Sequence, residues 1–141
     1  MRGMERGTTR SRLDPQSDKQ FLTLRRQLCV STFGLNQITL RPKQRGRIHR
    51  HLRQEEVYLV LSGRLSLIVE GEEIELGEGE LVRVAPDLRR QLVNRGPERL
   101  VLLAMSGEGD HHGRDGEAFA DWEQRTGVPP QKLSPPPDLQ D

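Results

Sequence analysis

The chain has 141 residues, 33% of them hydrophobic and 30% charged, with a formal net charge of +1. That length suits one compact domain of about 100–200 residues and excludes a multidomain machine. The longest apolar runs (Val57–Leu61, Leu65–Val69, Leu100–Met105) are too short to span a bilayer, the lone Cys29 excludes an intramolecular disulfide, and no segment is basic enough to form a nucleic-acid surface.

Apolar side chains number 3 in residues 1–20, 36 in residues 21–107 and 7 in residues 108–141, so the core belongs to the middle segment. The basic side chains are 19 arginines and 3 lysines, a bias that reads as a GC-rich, bacterial genome. Residues 1–20, with formal charge +2, lack the apolar stretch of a signal peptide and read as a flexible basic arm on a cytoplasmic protein.

Residues 21–107 contain, in order, FLTLRRQLCV, FGLNQITL, VYLVLSG, RLSLIVEG, EEIELG, ELVRVAP, RRQLVNRG and ERLVLLAM. Short segments rich in Val, Ile and Leu, recurring every eight to twelve residues between glycines and charges, predict an all-β sandwich or barrel. Gly63 and Gly71 mark turns, so residues 56–76 read as consecutive antiparallel hairpins. Val57–Leu61 and Leu100–Met105 are apolar on both strand faces, whereas a strand in a lone barrel buries only one. A second copy of the chain is the simplest cover, which predicts a homodimer formed by sheet packing.

Residues 108–141, with formal charge −5, change character. GEAFADWEQRTG predicts a short helix carrying Phe119 and Trp122 on one face, and VPPQKLSPPPDLQD, with five prolines, reads as an extended or disordered tail. Asp110-His111-His112-Gly113-Arg114-Asp115 reads as a surface loop, and Cys29 as a small buried hydrophobe.

The chemistry concentrates in Arg47-Ile48-His49-Arg50-His51-Leu52-Arg53-Gln54-Glu55-Glu56. In a strand, His49 and His51 project to one face and Arg50 to the other. Glu56 opens the next strand after a short turn, where a hairpin returns its carboxylate to the imidazoles. Two histidines and a carboxylate on one side of an ion suit Fe, Mn, Ni or Zn. Tyr58 and Val60 share the parity of Glu56; Tyr58 is either a pocket residue or core filler, and Asn36 or Gln37 on the preceding strand is placed to reach the pocket.

These residues resemble the cupin superfamily. Its first motif is Gly, five residues, His-x-His, three or four residues, Glu, six residues, Gly; His49, His51, Glu56 and Gly63 follow it, although Gly46 lies only two residues before His49. Its second motif is Gly, five residues, Pro-x-Gly, two residues, His, three residues, Asn. Gly79, Pro86 and Asn94 answer to it, with Asp87 at the turn glycine and Arg90 in place of the metal-binding histidine. The resemblance, over about residues 33–105, implies a double-stranded β-helix (jelly-roll) barrel at 21–107 with a short C-terminal helix and Pro-rich tail. It also implies that His49, His51 and Glu56 hold a divalent metal, while Arg90, Tyr58 and Asn94 contact a small anionic ligand. Arginine has no lone pair to give a metal, so Arg90 either clamps a bound anion or pairs with Glu56 in a metal-free pocket.

Three functions follow. The first is a metal-dependent oxygenase or isomerase/lyase acting on a small anion. The others are a non-enzymatic ligand-binding or sensory module and a metal-free sugar epimerase or isomerase.

Overall fold

Alternation of side chains marks the inner face of the strand at 55–62: Glu56, Tyr58 and Val60 are buried while Val57 and Leu59 are only half-buried. The computed structural model describes residues 7–107 and 115–140. Among the described residues ten strands form: β1 (Phe21–Thr23), β2 (Gly34–Leu40), β3 (Ile48–His51), β4 (Glu55–Ser62), β5 (Leu65–Val69), β6 (Glu72–Leu76), β7 (Leu81–Val84), β8 (Arg90–Val93), β9 (Leu100–Gly107) and β10 (Gly116–Phe119). They build two antiparallel sheets in the orders β1-β2-β9-β4-β7 and β10-β3-β8-β5-β6. The inner faces enclose a core of Ile38, Leu40, Val60, Leu65, Leu100 and Leu102 with their neighbours, which confirms the all-β jelly-roll barrel. Among the described residues no helix is long and apolar enough to cross a membrane.

Three local expectations are corrected. FLTLRRQLCV is not one strand: after β1 the chain forms one turn of helix, α1 (Leu24–Leu28), which buries Leu24 and ends at Cys29 in a left-handed conformation (φ 60°). Leu, Arg and Gln are good helix formers, and Leu24 and Leu28 share a face at i, i+4. Residues 56–76 hold one hairpin, not two. β5 and β6 pair around Glu70 and Gly71, both at positive φ as a tight two-residue turn requires. β4 and β5 lie in different sheets, and Gly63 turns the corner between them.

At Gly63 (φ +85°) an added Cβ would lie 2.7 Å from the Arg99 carbonyl oxygen and 3.0 Å from Leu100 Cα. Both atoms are backbone and have no rotamer to yield. Gly63→Ala is therefore expected to destabilise the fold by at least about 2 kcal/mol, read as a lowered urea midpoint.

The third correction concerns GEAFADWEQRTG. Gly116–Phe119 is strand β10, paired with β3, and no α-helix follows it; the described tail contains only a 3-10 turn at Pro130–Lys132. β3 has an open edge, and filling it satisfies more backbone groups than one short helix would. Phe119 is buried, with the guanidinium groups of Arg50 and Arg89 5.4 and 5.5 Å from its ring centroid, and Arg89 also lies 5.6 Å from the centroid of the Trp122 ring.

The described ends are tied to the barrel. Gln37, buried on the outer face of β2, accepts the Asp14 N–H at 2.7 Å and donates to the Asp14 carbonyl at 2.7 Å, and Arg99 donates to the Ser17 carbonyl. Asp14 and Ser17 thus hydrogen-bond to the barrel. The Pro-rich tail runs past Arg45 and Arg47, which donate to the carbonyls of Pro137 and Leu133. His111 and His112 lie outside the described residues.

Candidate metal centre

β3 presents His49 and His51 to the barrel interior, while Arg50 turns outward to ion pairs with Asp87 (3.0 Å) and Glu117 (2.9 Å). After the turn at 52–54, β4 returns Glu56 to the same end of the cavity. His49 Nε2 lies 3.8 Å from Glu56 Oε1 and His51 Nε2 lies 3.6 Å from Oε2. The imidazole rings stand edge-to-face, centroids 5.6 Å apart at 88°. One donor atom from each of the three residues falls within 4.8 Å of the others.

Three features decide what this arrangement can do. The His–Glu separations exceed ordinary hydrogen-bond lengths of roughly 2.7–3.2 Å. They are close to the spacing of nitrogen and oxygen donors that each lie about 2.0–2.2 Å from one ion. His49 Nδ1 meets the Arg47 carbonyl oxygen at 3.2 Å; a carbonyl only accepts, so Nδ1 carries the proton and Nε2 is left facing Glu56. Glu56 Oε1 also accepts a short hydrogen bond from the Tyr58 hydroxyl, which fixes the carboxylate.

Burial pushes the Glu56 carboxyl upward, yet the two adjacent imidazoles outweigh it and hold the group well below the usual carboxylate range. Glu56 is therefore held as a carboxylate. Burial first, then the Glu56 charge, push the Tyr58 phenol well above its ordinary value, partly opposed by the positive charge of Arg90. Tyr58 accordingly stays a donor to Glu56. The donor set fits a divalent metal.

A family model for the cupin domain matches residues 36–106, half of the chain. The chain belongs to the cupin family. Among solved structures, this cupin is similar to a sugar phosphate isomerase of the cupin superfamily from Silicibacter pomeroyi, at 27% identity and TM-score 0.58, covering 62% of this chain and 58% of that one. The chain thus spans little more than half the length of that protein. It is similar also to a cupin protein from Bacteroides fragilis, at 20% identity and TM-score 0.64, covering 89% and 100%. A third likeness is to a putative sugar phosphate isomerase from Acidithiobacillus ferrooxidans, at 19% identity and TM-score 0.60, covering 86% and 80%. These two, below 25% identity, speak to the fold. No curated protein matches the chain.

In this cupin Arg90 faces His49 across the β3–β8 pair and has no solvent exposure. Cross-strand partners share a sheet face, so the guanidinium belongs to the cavity of the histidines. Its Nη2 donates to the Ala85 carbonyl oxygen at 3.0 Å, and its Nε and Nη1 have no hydrogen-bond partner. The alternative of a metal-free Glu56–Arg90 pair is therefore corrected: Glu56 is held by His49, His51 and Tyr58, and two of the three Arg90 nitrogens are unmatched.

Asn94 does not join the site. Its Nδ2 donates to the carbonyls of Leu40 (3.0 Å) and Glu98 (2.8 Å), and its Oδ1 accepts the Gly96 N–H (3.0 Å). It lies about 13 Å along the chain from Arg90 at strand rise and organises the opposite end of the barrel. Asn36 stands on the inner face in line with Ala104 and Tyr58, whereas Gln37 points outward to Asp14.

Asp115, which the sequence presents as the end of a surface loop, has a role at this end that the local pattern does not show. Its carboxylate accepts the N–H groups of Arg53 and Gln54, in the turn between His51 and Glu56. A contact between residues 61 and 62 positions apart in the chain leaves no local pattern to find.

Proposed function

We propose that this cupin holds a divalent metal through His49, His51 and Glu56 and acts on a small anionic molecule gripped by Arg90, as a metal-dependent isomerase or lyase. The observation that carries the proposal is the fully buried Arg90 guanidinium, with Nε and Nη1 unpartnered beside a His–His–Glu cluster. Two unmatched buried donors cost roughly 1–3 kcal/mol each unless a ligand supplies acceptors. A carboxylate or phosphate supplies two oxygens in the geometry a guanidinium prefers.

When bound, the metal would act as a Lewis acid toward a carbonyl or hydroxyl of the substrate. Tyr58 holds the Glu56 carboxylate in place, and the Arg47 carbonyl holds the His49 ring. With a dication present the cavity carries about two positive charges, a demand that an anion meets. The likeness to a sugar phosphate isomerase supports a phosphorylated sugar as the substrate class.

The test is metal analysis of protein prepared without a His-tag, followed by incubation of the Mn2+-loaded protein with aldose phosphates and NMR detection of the ketose phosphates. Metal near one ion per chain and turnover are expected. Stoichiometry far below one with no thermal shift on adding Fe, Mn, Ni or Zn would overturn the proposal.

The same reading includes a homodimer. Val57, Leu59, Leu103 and Met105 lie side by side on the outer face of the first sheet, and Leu81, cross-strand from Leu59, is 61% exposed. A large exposed apolar side chain on the edge strand, beside an apolar sheet face, is what a second copy would cover. Leu81→Glu is expected to convert a dimer to a monomer in light scattering, with the urea midpoint of the monomer close to that of an ordinary surface variant. A wild-type monomer at high concentration would contradict this.

A further inference from the structure

Three consecutive backbone N–H groups of the turn that joins the metal-ligand strands are satisfied by one distant residue. Leu52 N–H donates to the Asp115 carbonyl oxygen at 3.1 Å. Arg53 N–H reaches both carboxylate oxygens of Asp115, at 2.9 and 3.2 Å, and Gln54 N–H reaches Oδ2 at 2.9 Å. Immediately after Asp115, β10 pairs along the outer edge of β3, with Gly116 opposite His51 and Ala118 opposite His49. Asp115 thus lies where the C-terminal segment first meets the site, beyond the 36–106 span of the family match.

We infer that Asp115 is a positioning residue for the metal ligands, its carboxylate locking the 52–54 turn so that His51 and Glu56 face each other at ligand distance. The inference rests on the metal reading above. The turn is only three residues long, so a change in the backbone of Arg53 or Gln54 shifts the origin of β4 relative to β3. Gln54 is itself buried, which makes its N–H dependent on a protein acceptor. Asp115 supplies hydrogen bonds to charged oxygen, the stronger kind, to two adjacent donors at once. On the other side of β3, the Asp87 N–H donates to the His51 carbonyl at 2.6 Å, so the ligand strand is gripped from both flanks. Groups that orient ligands from behind typically change metal affinity 10–100-fold when removed.

The experiment is Co2+ titration of the full chain, followed by visible absorption at a temperature where circular dichroism shows every variant folded. Asp115→Ala is expected to bind Co2+ 10–100-fold more weakly and with an altered ligand-field spectrum. Asp115→Asn keeps one carbonyl oxygen for both N–H groups and is expected to remain within about threefold of wild type. Glu117→Ala, which breaks the Arg50 ion pair on the same strand, is expected to lower Tm while leaving Co2+ affinity and spectrum unchanged; this separates loss of bracing from loss of ligand geometry. If Asp115→Ala fails to fold, Asp115→Ser, with one short acceptor, takes its place, and the same weakening is expected. Wild-type affinity and spectrum in the folded Ala or Ser variant would overturn the positioning role alone. Absence of Co2+ binding by the wild-type protein would overturn the metal reading and the positioning role with it.

Discussion

Glu56→Gln is expected to weaken divalent-metal binding at least about 100-fold, roughly 2.7 kcal/mol, with the fold intact. Glu56 is the anionic member of the donor set, and its carboxylate lies 3.8 and 3.6 Å from the two imidazole Nε2 atoms. Glutamine preserves volume and an acceptor for the Tyr58 hydroxyl but removes the charge that a dication requires. The metal-free variant is expected to unfold at a somewhat lower urea concentration, because the imidazoles that outweigh burial at Glu56 stabilise the carboxylate and not the amide. Mn2+ titration by electron paramagnetic resonance, set beside urea unfolding of the metal-free proteins, checks both halves. Unchanged Mn2+ affinity would remove Glu56 from the centre.

Arg90→Met is expected to act in two opposite directions. Phosphate affinity of the metal-loaded protein should fall by about 100-fold, the scale of a lost bidentate, charge-assisted pair in a buried site. Stability of the ligand-free protein should hold or rise by about 1–3 kcal/mol, since an unbranched apolar side chain replaces a buried cation with two unmatched donors. Calorimetric titration with inorganic phosphate reads the first effect and urea unfolding the second. A large loss of stability would show instead that Arg90 holds the barrel together through Ala85, the residue whose carbonyl it already meets.

The His49–His51–Glu56 cluster was legible in the sequence because it is local. His49 and His51 differ by two positions, which in a strand fixes a common face, and Glu56 follows across a turn too short to send it elsewhere. The barrel was legible for the same reason, in segments such as Val57–Leu61 and Leu65–Val69. What eluded local reading depends on partners far along the chain. Phe119 and Trp122 have helical spacing, yet the open edge of β3 and the guanidinium groups of Arg50 and Arg89 draw residues 116–119 into a strand. Asn94 has the right residue type for the site but spends its amide on Leu40, Gly96 and Glu98. Arg90 and Glu56 have opposite charges, yet the histidines and Tyr58 take the carboxylate first. Asp115 closes a stretch that reads as a surface loop, and nothing local shows that its carboxylate meets Arg53 and Gln54.

Anomalous diffraction from crystals grown with Mn2+ and inorganic phosphate tests the central claim most directly. A single strong peak is expected within about 2.0–2.3 Å of His49 Nε2, His51 Nε2 and a Glu56 oxygen, with phosphate oxygens on Arg90 Nε and Nη1. Absence of a peak at the three residues, or Arg90 turned onto the Glu56 carboxylate in a metal-free cavity, would contradict the account.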